Sequence, residues 1–246
     1  MPQKSITMQT TNQALLRGTL VQENKSEIEK PGTLFIHGWK SDERRYLTRA
    51  EALAKLGFIC LTFNLRGHGT SDGKLEHLTI ADHLKDSIAA YDFLASQQSV
   101  KKEAIHIVGA SYGGYLTALL SSKRPAVSLV MRAPALYSNI EFNCTSDQRQ
   151  KNRLANFALS VREGETAQNN MALKAVSQFP GDILLIESQH DQTIRHDVIV
   201  EYLLSANRER INHEIIRDAD HSLSNEVWKQ NFIDLLVRWF EKYSKI

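Results

Sequence analysis

The sequence has 246 residues, 42% of them hydrophobic and 24% charged, enough apolar material for one large core or two small domains. Lys and Arg number 30 against 28 Asp and Glu, a formal charge of +2. No basic block rises above the background, so there is no electrostatic footprint for nucleic acid. No stretch reaches the roughly 18 apolar residues of a membrane span, and Met1–Thr7 lacks the apolar segment of a signal peptide. Only Cys60 and Cys144 are present, and Cys60 lies in an apolar run as a buried small hydrophobe, which favours reduced thiols over a disulfide and a cytoplasmic protein.

In chain order, residues 4–22 predict two short strands with Asn12-Gln13 at the turn, and a polar loop follows from Glu23 to Gly32. Short apolar runs then alternate with longer amphipathic segments. The runs are Thr33–Ile36, Phe58–Phe63, Ala104–Val108, Val127–Met131, Ile183–Ile186 and Glu214–Ile216, too short for helices and rich in β-branched or aromatic residues. Helices are expected near Glu43–Leu56, Ile80–Ser96, Tyr112–Ser122, His196–Ala206 and Asn225–Tyr243. Leu84, Ile88, Tyr91 and Leu94 recur at three- and four-residue intervals, the spacing of an apolar stripe. Strand–helix alternation with continuously apolar strands implies an α/β fold, a mostly parallel central sheet with helices on both faces. One stretch breaks the rhythm. Residues 138–170 are polar and long for a connector, and 138–176 is expected to form a small inserted cap, containing two short helices, within a single domain over 1–246.

The sharpest signal lies at residues 104–124, where the apolar strand Ala104–Val108 runs into Gly109-Ala110-Ser111-Tyr112-Gly113-Gly114 and then a helix pattern. Gly-x-Ser-x-Gly between strand and helix is a nucleophile turn. The serine needs a backbone so tight that a Cβ at Gly109 or Gly113 would collide with its neighbours. The turn exposes the Ser111 hydroxyl at the carboxyl edge of the sheet and aims the Tyr112 N–H at the same space.

A serine hydroxyl becomes a useful nucleophile only when a base takes its proton and an acid orients that base. The expected order is Ser, acid, His, each on a loop after a strand. Asp191 follows Ile183–Ile186 and His221 follows Glu214–Ile216, so both qualify. Asp197 falls in a helix and Asp182 precedes its strand, while Glu187 is a weaker substitute for Asp191. Among the nine histidines, His106 and His213 fall within strands, and His190 and His196 on the surface near Asp191. A second oxyanion donor is expected from the Trp39 N–H, presented by the turn at Gly38. His37 is read as a hydrogen-bonded brace for that loop.

His37-Gly38-Trp39, the loop Phe63-Asn64-Leu65-Arg66-Gly67-His68-Gly69-Thr70-Ser71-Asp72-Gly73, the turn around Ser111, and Asp191 and His221 together resemble the α/β-hydrolase superfamily. Within it, the chain is similar to small esterases of the dienelactone-hydrolase-like and feruloyl-esterase-like groups with short caps. The resemblance implies the α/β-hydrolase fold, with the polar side chains of the Arg66–Gly73 loop bracing the floor of the site. Glu187-Ser188 stands where many relatives carry His-Gly, which predicts altered packing of the acid's loop. Trp39 is bulkier than is usual there and is expected to narrow the acyl side of the pocket.

Residues and resemblance together imply hydrolysis of a small to medium carboxylic ester or thioester through an acyl-enzyme, with no metal or organic cofactor required and no His/Cys/Asp ligand cluster at metal spacing. The partner is a small-molecule substrate, not nucleic acid. An acyltransferase, a thioesterase or a small-peptide hydrolase would use the same residues. A ligand-sensing module on a hydrolase scaffold is the alternative of another class.

Overall fold

The computed structural model describes residues 1–23, 28–155 (152–155 as backbone only) and 166–244. The expected loop Glu23–Gly32 therefore lies partly outside the described residues, at 24–27. So does the middle of the expected cap, at 156–165.

Strands form where the apolar runs lie. They are β1 (Gln3–Gln9), β2 (Leu15–Val21), β3 (Lys30–Ile36), β4 (Ile59–Phe63), β5 (Val100–Ala110), β6 (Ser128–Arg132), β7 (Asp182–Ser188) and β8 (Ile211–Ile216). The turn between β1 and β2 sits at the expected place, with Gln13 at φ 64°. Among the described residues these strands make one eight-stranded sheet in the order β1-β2-β4-β3-β5-β6-β7-β8. β1, β2 and β4 pair antiparallel, and every neighbour from β4 onward is parallel.

The helices are α1 (Arg44–Lys55), α2 (Ile80–Ala95), α3 (Tyr112–Ser121), α4 (Ser146–Ala155), α5 (Met171–Gln178), α6 (His196–Ser205) and α7 (Glu226–Glu241). Those other than α4 cover both faces of the sheet, and the two cores show why its inner strands are apolar without alternation. Leu34, Ile36 and Ile107 face one core with residues of α2, α3, α5 and α6. Phe35 and Val108, one residue out of step, face the other with α1 and α7. Side chains alternate across a strand with a period of two, so a sheet buried on both sides needs an apolar residue at every position. No helix among the described residues is long and apolar enough to cross a membrane.

α2 begins on a capping box: the Thr79 hydroxyl accepts from the Asp82 N–H at 3.0 Å, and the Asp82 carboxylate accepts from the Thr79 N–H at 3.2 Å. The same corner anchors the polar excursion. Thr79 bridges to Thr145, and the Ser146 N–H and hydroxyl both donate to the Leu78 carbonyl, at 2.9 and 3.0 Å. At the other end, buried Asn170 caps α5 and donates to the Tyr137 carbonyl at 2.9 Å. Between these anchors lie a 3₁₀ turn (Asn139–Asn143) and α4. α5 is a further helix that the polar reading of this region did not separate. It buries Ala172, Leu173 and Val176 in the core shared with α2, α3 and α6.

Candidate active site

The site assembles at the carboxyl ends of β3, β5, β7 and β8. Ser111 sits between β5 and α3 with φ 54° and ψ −119°, a conformation that costs a non-glycine residue of order 1–3 kcal/mol. The surroundings hold it there. Its N–H donates to the Arg132 carbonyl at 2.8 Å, and its carbonyl accepts from Ala135 and Tyr115 at 3.0 and 3.1 Å. The flanking glycines are sterically required: a Cβ on Gly109 would lie 2.2 Å from the Gly113 carbonyl oxygen, and one on Gly113 would lie 2.1 Å from that of Ile36.

The loops after β7 and β8 converge on this turn. His221 Nε2 accepts from the Ser111 hydroxyl at 3.0 Å, and its Nδ1–H donates to Asp191 Oδ2 at 2.7 Å. The Asp191 side chain is 3% exposed and that of His221 22%, so the acid is sealed while the imidazole faces solvent. Burial alone would discourage the Asp191 charge. Hydrogen bonds from His221 and from the Ile194 and Thr193 N–H groups more than offset it and hold the carboxyl below its ordinary range. The two loops are tied to each other: His190 N–H donates to the Ala219 carbonyl at 2.9 Å, and Asp218 N–H to the Gln189 side chain at 2.9 Å.

The structure thus brings Ser111, His221 and Asp191 into one hydrogen-bonded chain. The rival acids lie elsewhere. Glu187 accepts from His196 at 2.8 Å and from His213 at 3.1 Å, and Asp182 holds Tyr243 and Lys242 at 2.8 and 3.1 Å. Asp197 lies in the first turn of α6.

Gly38 packs against the serine turn, with a Cβ there only 3.5 Å from the Ser111 Cβ. Tyr112 is the first residue of α3, and neither its N–H nor that of Trp39 donates to a described protein group. His37 is a brace. Its Nδ1–H donates to the Gly38 carbonyl at 2.8 Å and its Nε2 accepts from the Leu65 N–H at 3.0 Å. Burial, with His68 beside it, lowers its pKa to about 3 and keeps it neutral. Below lies the Arg66 loop, whose guanidinium pairs with buried Asp86 at 2.6 Å. His83 donates to the Arg66 carbonyl at 3.1 Å and accepts from the Tyr112 phenol at 2.8 Å.

Sequence reading did not single out Arg132, at the end of β6. Its buried guanidinium donates to the Ser188 hydroxyl at 3.0 Å and to the His221 carbonyl at 2.8 Å. The available signal was a charge closing an otherwise apolar run, Leu129-Val130-Met131-Arg132.

Beside the turn opens a cleft of about 400 Å³, walled by Trp39, Lys40, Tyr137, Ser146, Arg149 and others. Ser111 and His221 are not part of its wall. Trp39 links the two: Gly38 before it packs against the serine turn, and its own ring lies edge-on to Tyr112 at 5.1 Å.

Residues 44–246 match the prolyl oligopeptidase family, a span covering most of the chain. The chain belongs to that family. It is 33% identical over 107 residues to human mitochondrial palmitoyl-protein thioesterase ABHD10, covering 41% of this chain and 32% of that one. It is 30% identical over 96 residues to the thermostable monoacylglycerol lipase of Bacillus sp. strain H-257, covering 39% and 37%. The matches thus span about a third of these relatives' own length. Among solved structures, Est1E from Butyrivibrio proteoclasticus, determined with ferulic acid, superposes with a TM-score of 0.72 at 18% identity, covering 97% of each chain. Esterase Pf2001 of Pyrococcus furiosus gives 0.70 at 19%, covering 98% of this chain and 92% of that one. These structures share the α/β-hydrolase fold with this chain.

Proposed function

We propose that the protein is a serine hydrolase that cleaves a small to medium carboxylic ester or thioester through an acyl-enzyme. One observation carries the reading: an unbroken Ser111–His221–Asp191 hydrogen-bond chain ending on a strained, half-buried serine. Ser111 attacks the carbonyl carbon as His221 Nε2 takes its proton, and the N–H groups of Trp39 and Tyr112 receive the oxyanion. His221 then protonates the leaving group. Water, activated by the same imidazole, releases the acid and restores the serine. Asp191 fixes the imidazole tautomer and stabilises its charged form. The names of the thioesterase and lipase relatives support ester and thioester chemistry. The excursion between Ser138 and α5 acts as the cap, since Ser146 and Arg149 from it wall the cleft. The reading includes a cytoplasmic setting, for which the two free thiols speak.

Hydrolysis of p-nitrophenyl esters from acetate to decanoate, by wild type and Ser111→Ala together, tests this. Wild type is expected to turn over, and the variant to lose several orders of magnitude in kcat while keeping its fold, with a residual rate of about 10³–10⁴ over water. Equal activity in the variant sinks the assignment. If neither turns over, absence of fluorophosphonate labelling at Ser111 moves the reading to a ligand-sensing module. The family match favours one alternative substrate, a short peptide, and turnover of peptidyl p-nitroanilides in preference to esters would select it.

A further inference from the structure

Arg149, on α4, has 5% of its surface exposed and lines the cleft beside Trp39. Its guanidinium carbon stands 5.2 Å from the Trp39 ring centroid, a cation–π stack. Nη1 donates to the Cys144 carbonyl at 2.7 Å and Nη2 to the Ser146 hydroxyl at 3.1 Å. An arginine offers five N–H donors in a planar fork. Among the described residues, no carboxylate lies within ion-pair distance of this one. The two acids of the cleft do not serve: Asp147 is held by Lys151 at 2.7 Å, and Glu76 makes no described ion pair. Lys40 adds a second cation to the wall. A ligand carboxylate at this fork would add charge-assisted hydrogen bonds to a cation that, among the described residues, has only neutral partners.

From these observations the geometry points to Arg149 as a specificity-determining residue: its guanidinium, stacked on the Trp39 ring, reads a carboxylate on the substrate while the scissile carbonyl sits at the Trp39 and Tyr112 N–H groups. The placement rests on the hydrolase reading; the anion site does not. Trp39 supplies the connection: it follows Gly38, which packs against the serine turn, and its ring lies under the guanidinium. The carboxylate belongs to the acyl half or to the leaving half, and two substrate pairs separate these. In 4-nitrophenyl hydrogen glutarate against 4-nitrophenyl valerate, an acyl-chain carboxylate replaces a methyl group. In 4-acetoxybenzoate against 4-tolyl acetate, the same exchange is made on the leaving group.

The test measures kcat and KM for all four esters, corrected for uncatalysed hydrolysis, in wild type, Arg149→Met and Arg149→Lys. Wild type should prefer the carboxylate ester in one pair. Arg149→Met should lower kcat/KM for that ester about 10–100-fold, mainly through KM, and change its neutral partner less than about threefold. Arg149→Lys, which keeps the charge and loses the fork, should retain part of the preference, and it carries the test if the methionine variant does not fold. The inference is overturned if wild type favours the neutral ester in both pairs, or if the preference survives Arg149→Met unchanged. If wild type cleaves none of the four and fluorophosphonate does not label Ser111, the hydrolase reading fails separately. Calorimetric titration with glutarate then decides the anion site: saturable binding lost in Arg149→Met supports it, and no binding to wild type overturns it.

Discussion

Two carboxylates four residues apart at the end of β7 both hold histidines, and only one of those histidines reaches a serine. Glu187, the last residue but one of the strand, accepts from His196 and His213. Asp191, on the loop beyond, accepts from His221. The contrast lies in the second ring nitrogen. That of His221 meets Ser111, whereas those of His196 and His213 meet no described side chain. A carboxylate–histidine pair is thus common and cheap to build. What singles out Asp191 is a backbone that returns twice, once after β7 and once after β8, to the same serine.

Asp191→Asn should give the largest separation between the two clusters. It should lower ester kcat by about 10⁴ while leaving the fold intact, because the imidazole loses its correct tautomer. A stopped-flow or discontinuous assay sensitive to that range checks it, and a loss below tenfold would give Asp191 no special place.

The next effect concerns buried histidines whose hydrogen bonds run to no carboxylate. Burial lowers the pKa of His37 and of His83 to about 3, with neighbouring histidines adding to it. Between about pH 3 and the ordinary value near 6.5, the unfolded chain therefore binds more protons than the folded one. Stability that is complete above about pH 6.5 is lost as the pH falls towards 3, and Tm should drop by about 10 °C or more from pH 7 to pH 4. A flat thermal profile over that range would mean these rings are hydrated in solution.

Arg132→Met should act more mildly, leaving the His221 carbonyl without its buried donor. The cost of about 1–3 kcal/mol would appear as a Tm loss of about 2–10 °C. Activity should fall with it, since the loop that carries His221 loses its tether. The smallest effect belongs to Glu187→Gln, expected to change kcat less than about tenfold, since its histidines lead nowhere. A loss rivalling that of Asp191→Asn would overturn the contrast between the two clusters.

Much of this was legible in the sequence, for reasons that can be named. Runs such as Leu34-Phe35-Ile36 carry both faces of the sheet at once, so their position was plain. Ser111 announced itself because two glycines are sterically required around it. Asp191 and His221 followed from order and from strand ends. Three features stayed hidden. β5 starts at Val100, four residues before the expected run at Ala104, because it pairs with β3 past a register shift at Pro31–Gly32. α5 is eight residues long, too short for an apolar stripe to stand out from the polar stretch before it. Arg132 and Arg149 matter through contacts with chain 89 residues away and with the Trp39 ring, and no local pattern encodes those.

Trp39 has a consequence for how such a protein can change over generations. On the proposed reading its main chain serves the chemistry and its ring serves the choice of substrate. Replacing the side chain leaves the N–H in place, so the reaction is insulated from mutation at that position while the cleft wall is not. A lineage carrying this arrangement is free to explore new substrates one codon at a time without first surrendering the old reaction.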